Sequence, residues 1–443
     1  MQIPFKDNPA MSSIGRNVLF LLLRALCLAT PVVCTFPAFA GDVTGRLTAQ
    51  QFRDDIAFVR TSIAGMHPDP GFSTDPGAID AALDRLGQDV PPGLSVDEAW
   101  QRLATINPTL ADAHFFIGYR DWRADTRRWL DSGGSLFPVE VDIGPGDVLL
   151  LRAAPLVRVL SVNGVATDTL VSTLAAKVHG DTPGFRANLL ARRWWLFYWK
   201  TFGAPARYRL VLDHQGERRT VDLPGSRALP RILQDEALPP FRFVMGPDRT
   251  AVLTVTSFSQ PDTAPFLDFT RQAFERLQAE GATALEIDIS ENGGGDDAVW
   301  LDGLMPYLAS RPYRTGSTYR AMSRPEPGKP ATVSEGEIAT WRQPQAANPL
   351  RFDGKVTVRI GPATYSSAIL FANVVHDFGF GTLVGPGGWA RRTQSGGVRS
   401  VVLPHTGLAL FLPRFILDPP AGRAPGALLV TGEQHFKAAA NPR

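Results

Sequence analysis

At 443 residues the chain is long enough for two or three domains, and 44% apolar against 20% charged residues is the balance of a globular protein, not a disordered one. The formal net charge is +2; setting aside residues 1–40, with Lys6, Arg16, Arg24 and Asp7, leaves 42 charges of each sign. No basic patch or tail of the kind that binds nucleic acid remains. Both cysteines, Cys27 and Cys34, fall in that first stretch, so residues 41–443 offer no disulfide, no thiol nucleophile and no cysteine metal ligand.

Residues 1–40 read as a secretory signal peptide. Arg16 precedes the apolar run Val18-Leu-Phe-Leu-Leu-Leu23, and Ala38-Phe-Ala40 supplies a small-x-small cleavage site before Gly41. Arg24, Pro31 and Pro37 interrupt the span, which favours cleavage over an uncleaved anchor helix. The expectation is a periplasmic or secreted protein with no stable membrane insertion after cleavage.

Residues 41–130 form an N-terminal helical region. Phe52, Ile56, Val59 and Ile63 recur at helical spacing, as do Ile79, Leu83 and Leu86. Ser95-Val-Asp-Glu98 is a capping box that opens a helix with Trp100, Leu103 and Ile106 inward. Leu110-Ala-Asp-Ala-His-Phe-Phe-Ile-Gly118 then reads as a turn entering a strand, where His114 alone would be an ordinary structural histidine.

Residues 136–225 carry short strands at 137–142, 148–151, 158–162 and 208–212. Val159-Leu-Ser-Val-Asn-Gly-Val165 is similar to a strand and turn of PDZ modules, which dock a chain end as an added strand. Asn-Gly between apolar residues also fits a plain hairpin turn. Trp194-Trp-Leu-Phe-Tyr-Trp199 reads as a helix wedged between domains, with an aromatic substrate wall as the alternative.

From Ala251 onward strands and helices alternate, the pattern of βαβ units. The strand at 285–290 breaks into Gly293-Gly-Gly295, followed by Ala298, Val299, Leu301 and Leu304 at helical spacing. Residues 324–349, rich in Pro, Gly, Glu and Ala, read as a long loop, either a lid or disordered. A second strand, Val356–Ile360, leads into Ser366 and Ser367, then into Ile369, Ala372, Val375 and Phe378 at helical spacing. Thr382–Gly385 is the next strand and 418–426 a closing linker. Three glycines let backbone N–H groups approach a ligand, and a serine at a strand-to-helix turn is pushed outward beside free N–H groups. Either turn alone is ordinary; both on one α/β unit are the constellation of acyl transfer.

These motifs resemble those of the C-terminal processing (tail-specific) serine peptidases, and within them the branch that includes the tricorn protease core. Asp288-Ile-Ser-Glu-Asn-Gly-Gly-Gly295 is similar to that family's Asp-x-Arg-x-Asn-Gly-Gly-Gly, and Thr364-Tyr-Ser-Ser-Ala368 to its Thr-x-Ser nucleophile turn. The resemblance implies a crotonase/ClpP-like βαβ catalytic core over 240–443, beside the helical region and a PDZ-like β-rich module at 136–225. It implies Ser366 as nucleophile and His114 as general base by position. Gly294 and Ser367 are the expected oxyanion donors, and Gly293, Gly295 and Tyr365 the expected substrate contacts. For the acid that orients His114, Asp418 is preferred, with Glu433 and Asp112 as alternatives. No metal or cofactor is expected, and the partner is a peptide or protein substrate; the oligomeric state stays open.

The chain departs from the family where many members carry a general-base Lys: here stands Gly385-Pro-Gly-Gly-Trp-Ala-Arg-Arg392. Arg391 and Arg392 do not deprotonate near neutral pH, which leaves a histidine as base. Ile369 stands where the family often has Glu, and Ser290 where it has Arg. A silent peptide- or apolar-ligand-binding protein on the same scaffold is the competing expectation.

Overall fold

The computed structural model describes residues 45–323 and 331–429, so the expected signal segment 1–40 and the candidate acid Glu433 lie outside them. The helices begin where their caps stand. Thr48 and Gln51 form a capping box for Ala49–Met66, and Ser95 and Glu98 another for Val96–Leu103. The inward positions are those the spacing predicts: Phe52, Ile56, Val59 and Ile63 on the first helix, Ile79, Leu83 and Leu86 on Pro76–Gly87.

A β-rich module follows. Val141–Gly144, Val148–Leu151, Ala154–Val162, Arg207–His214 and Glu217–Pro224 form an antiparallel sheet, with Val165–Ala166 returning along Ala154–Val162. Asn163 and Gly164 both take positive φ (52° and 82°), the geometry of a two-residue hairpin turn. The aromatic helix Trp194–Phe202 buries Trp194, Trp195, Phe197 and Tyr198 in one hydrophobic core with both the N-terminal helices and the β-rich module, Phe197 against Trp100 and Tyr198 against Phe137 and Tyr208.

The second core surrounds a five-stranded sheet in the order Thr382–Val384, Lys355–Arg359, Ala284–Asp288, Thr250–Val255, Phe241–Met245. The first four are parallel and the last is an antiparallel edge. Helices Ala264–Ala279, Asp297–Gly303 and Ser367–Phe378 make the crossovers, as parallel strands require. Both motif turns therefore leave the same edge, at the ends of the paired strands Ala284–Asp288 and Lys355–Arg359. Within the stretch read as a loop, Val333–Glu337 is a strand paired with Thr318–Met322, its residues alternating in exposure along the hairpin.

The chain then returns to the first core. Leu403, Leu408, Leu410 and Leu412 join the N-terminal cluster, and Ala409–Leu412 pairs with Phe116–Gly118, placing Phe116 opposite Phe411. Buried Asp55 fixes this return by accepting from the backbone N–H groups of His405 (3.0 Å) and Thr406 (2.9 Å).

Candidate active site

The serine turn is closed by its own threonine. Thr364 Oγ1 donates to the Ile289 carbonyl (2.9 Å), at the end of the neighbouring strand, and accepts from Gly361 N–H (2.9 Å). Tyr365 N–H donates to the Asn292 carbonyl (3.0 Å), so two bonds clamp the serine turn to the glycine turn. Between them Ser366 sits at φ 55°, ψ −127°, immediately before helix Ser367–Phe378. A non-glycine residue held there costs about 1–3 kcal/mol, and such strain persists only where the surroundings over-determine it. The Ser366 hydroxyl is half-buried and makes no hydrogen bond to a described residue. Ser367 differs: its hydroxyl donates to Asp297 Oδ1 (2.5 Å) and accepts from Trp300 Nε1 (2.9 Å), wholly inside the core. Burial raises the pKa of that Asp297 carboxyl. Of the two hydroxyls, that of Ser366 is the one left uncommitted among the described residues.

The glycine turn lies directly against it. A Cβ on Gly294 would stand 2.6 Å from Ser366 Cβ and 2.9 Å from the Tyr365 carbonyl, and Gly294 has φ +103°; no other residue fits. The Gly294 N–H, expected to face the oxyanion, donates instead to Asn292 Oδ1 (2.8 Å). Asn292 is fully buried, and its Nδ2 holds the Val255 carbonyl (3.1 Å), so the asparagine shapes the loop from below. Gly295 is also not a substrate contact by its Cα face: a Cβ there would lie 2.1 Å from the Phe258 backbone, against which it packs. Gly293 is exposed with open space beside it. The Ser367 N–H, at the first helical position, is one the helix leaves without an intrahelical acceptor.

His114 arrives from the other core. Ala111 takes a left-handed conformation (φ 49°, ψ 38°) that turns the chain out of the helix Asn107–Leu110, and three distant groups seize the turn. Arg391 Nη2 donates to the Ala111 carbonyl (2.6 Å), and Asp181 Oδ1 accepts from Ala113 N–H (3.2 Å). Arg391 N–H donates to Asp181 Oδ2 (3.0 Å), which locks the two clamps together. The third is Tyr365, whose ring packs on His114 with centroids 4.8 Å apart and whose hydroxyl lies 2.9 Å from Asp181 and 3.1 Å from Asp112. Tyr365 is thus a buried pin, not the expected substrate contact. The structure brings His114 against the residue next to Ser366; no hydrogen bond joins the two side chains, a gap common in active sites without substrate.

The acid is not Asp418. Its oxygens are taken by the hydroxyls of Thr318 (2.6 Å) and Thr393 (2.9 Å), because residue 418 continues the strand Phe415–Leu417 past the end of its pairing with Gln394–Gly396. In the same pairing Ser395 is turned towards the histidine, and its Oγ lies 3.1 Å from His114 Nδ1 and 2.9 Å from Asp112 Oδ1. A carboxylate can only accept, so the Ser395 proton points to Asp112, and the Ser395 oxygen is left to accept from Nδ1–H. That fixes the tautomer with its lone pair on Nε2. Asp112 Oδ1 also accepts from His114 N–H (2.8 Å), which makes Asp112, the local alternative, the carboxylate behind the histidine.

Burial lowers the pKa of His114 below its ordinary value, with Asp112 opposing. Burial likewise pushes the Asp181 carboxyl up to about 6, against the pull of Arg391. Tyr365 is driven well above its usual range and stays a neutral hydroxyl with one proton between two carboxylates. Ser395, Asp181 and Asn292's side-chain role were not foreseen from sequence; Arg391 was read only as a missing lysine. Gln394, whose Oε1 accepts from Ser366 N–H (3.0 Å), was missed as well. No group of metal-ligating side chains exists among the described residues.

Residues 249–423 match the model of peptidase family S41. The fold is similar to the crystal structure of mature CPAF, at TM-score 0.59 and 15% identity over 86% of this chain and 90% of that one. A CPAF mutant superposes at TM-score 0.61 and 14% identity over 89% and 95%. No curated protein matches the sequence. With its glycine turn and strained serine on adjacent parallel strands, the α/β core carries the match to peptidase family S41, the C-terminal processing peptidases, and that match supports peptidase function.

Proposed function

We propose that this is an exported serine peptidase in which Ser366 is the nucleophile and His114 the general base. The observation that carries the reading is Ser366 at φ 55°, ψ −127°, wedged against Gly294 with its hydroxyl unbonded while Ser367's is committed to Asp297. Ser366 Oγ attacks the scissile carbonyl as its proton passes to His114 Nε2; Asp112, through Ser395, stabilises the imidazolium that forms. The Ser367 N–H faces the developing oxyanion at the positive end of its helix. His114 then gives the proton to the leaving amine, and water resolves the acyl-enzyme by the same path. Export rests on the leader read in residues 1–40; among the described residues no helix is long and apolar enough to cross a membrane.

A fluorophosphonate probe tests the assignment. The parent chain should be labelled at Ser366, Ser366→Ala not at all, and Ser367→Ala still labelled if folded. His114→Ala should lower labelling and hydrolysis by roughly 10²–10⁴-fold. A folded parent chain that takes no label would make the chain a silent peptide-binding protein on this scaffold.

A further inference from the structure

A cavity of about 290 Å³, close to the lower limit of roughly 300 Å³ for small-ligand sites, opens next to the turn that bears His114. Its apolar wall includes Phe116, Trp122, Phe197 and Phe411, and it reaches Ala113, the residue before His114. Five basic residues, Arg120, Arg123, Lys177, His179 and Arg193, are in its lining, and the last three are the ones whose partners matter here.

Their partners are incomplete. Arg193 follows the last turn of helix Pro183–Arg192, lies over the Trp122 ring at 4.8 Å, and makes no ion pair or side-chain hydrogen bond among the described residues. Its Nε is buried and unsatisfied. The carboxylate that could answer it, Glu236, is held bidentately by Arg123 (2.6–3.0 Å). Asp121, also on the wall, caps helix Trp122–Asp131 through Ala124 N–H (2.9 Å). Lys177 donates to the Thr173 carbonyl (2.7 Å) and has no acidic partner among the described residues. His179, 8% exposed, has no hydrogen bond and stacks on Phe116 at 3.7 Å, which in turn stacks on Phe411 at 4.4 Å. Burial lowers the Arg193 pKa to about 9, with Arg123 and Arg192 adding to it, the direction expected of a cation lacking its anion.

A guanidinium whose buried Nε has no acceptor is costly, and its fork matches a carboxylate well. We propose that this cavity is a substrate subsite for a carboxylate, gripped by Arg193 while the adjoining carbon chain rests on the Phe116–His179 stack and Trp122. The proposal deepens the peptidase reading by naming what the site selects. The carboxylate comes from an acidic side chain or from a free chain end, and the two share one chemistry here.

The test uses Ser366→Ala, which binds without turnover, so it stands even if the parent chain takes no fluorophosphonate label. Calorimetric titration with 3-phenylpropionate and its neutral isostere 3-phenylpropanamide should show the acid bound at least tenfold more tightly. Arg193→Met should erase that preference, and Arg193→Lys should retain part of it. Should Arg193→Met not fold, Arg193→Lys decides: it must weaken the acid and leave the amide unchanged. Peptide pairs then separate the sources: internal Glu against Gln with both ends blocked, and free against amidated C-terminus with no acidic side chain. Equal binding of acid and amide to the parent protein, a preference that survives Arg193→Met, or no preference in either peptide pair overturns the proposal.

Discussion

The two halves of the proposed catalytic pair are built in opposite ways. Ser366 stands on a turn between a strand and its own helix, locked to the next strand by Thr364 and Tyr365, so local sequence and one strand pairing set it. His114 stands on a turn belonging to the other core, held by Arg391, Asp181, Tyr365 and Ser395 across as many as 281 residues of sequence. The proposed nucleophile is a property of the α/β core; the proposed base is a property of how the two cores dock. Damage to one should therefore leave the other intact.

The largest effect should come from the serine side. Gly294→Ala drives a methyl group into Ser366 Cβ and the Tyr365 carbonyl at a position where φ is already positive. Hydrolysis should fall by about 10³-fold or more, beyond the 10²–10³ of a lost oxyanion donor. Kinetics alongside circular dichroism checks this; near-normal kcat would mean the two turns are not in contact. Next is Arg391→Met, which frees the Ala111 carbonyl and leaves buried Asp181 without its cation, a loss of about 3–5 kcal/mol. Denaturant unfolding should register it, and the histidine turn should exchange its amide hydrogens faster than helix Ser367–Phe378. Equal loosening of both would end the separation of the two halves.

Ser395→Ala removes only the acceptor of His114 Nδ1–H and should lower kcat by about 10–100-fold with KM little changed, as for a lost orienting partner. Ser395→Thr should restore most of it. The neutral imidazole is the working form, so rate rises with pH through the His114 pKa, and burial places that inflection below the ordinary histidine value. Asp112→Asn deletes the charge that opposes burial and should move the inflection lower still; a profile rising above pH 7 would exclude His114 as the base. The smallest effect belongs to Asp418→Asn, which loosens bonds to Thr318 and Thr393 worth about 1 kcal/mol each and should leave the pH profile in place. A folded Asp418→Asn protein without activity would return Asp418 to the catalytic machinery.

The same division explains what could be read from sequence. The glycine turn, the Thr-x-Ser turn and the helix spacings are local, and each appears in the fold where it was expected. Asp418 was chosen because it follows the last strand-like run, but a one-strand register decides which side chain faces His114, and that register gives Nδ1 to Ser395. Asp181 and Gln394 carry no periodicity or motif: a lone polar residue becomes part of a site only through contacts 28 to 210 residues away. The Gly294 amide was assigned by the motif alone, and the Asn292 side chain two residues earlier claims it instead.

The pairing of Phe116–Gly118 with Ala409–Leu412 also sets an order of events. A ribosome releases the first strand long before the second, and ring closure over that length is slow. While the growing chain stops short of Ala409, the strand that follows His114 lacks its pairing partner. On the proposed mechanism, the setting of the base is therefore completed only after Ser366 has already been made.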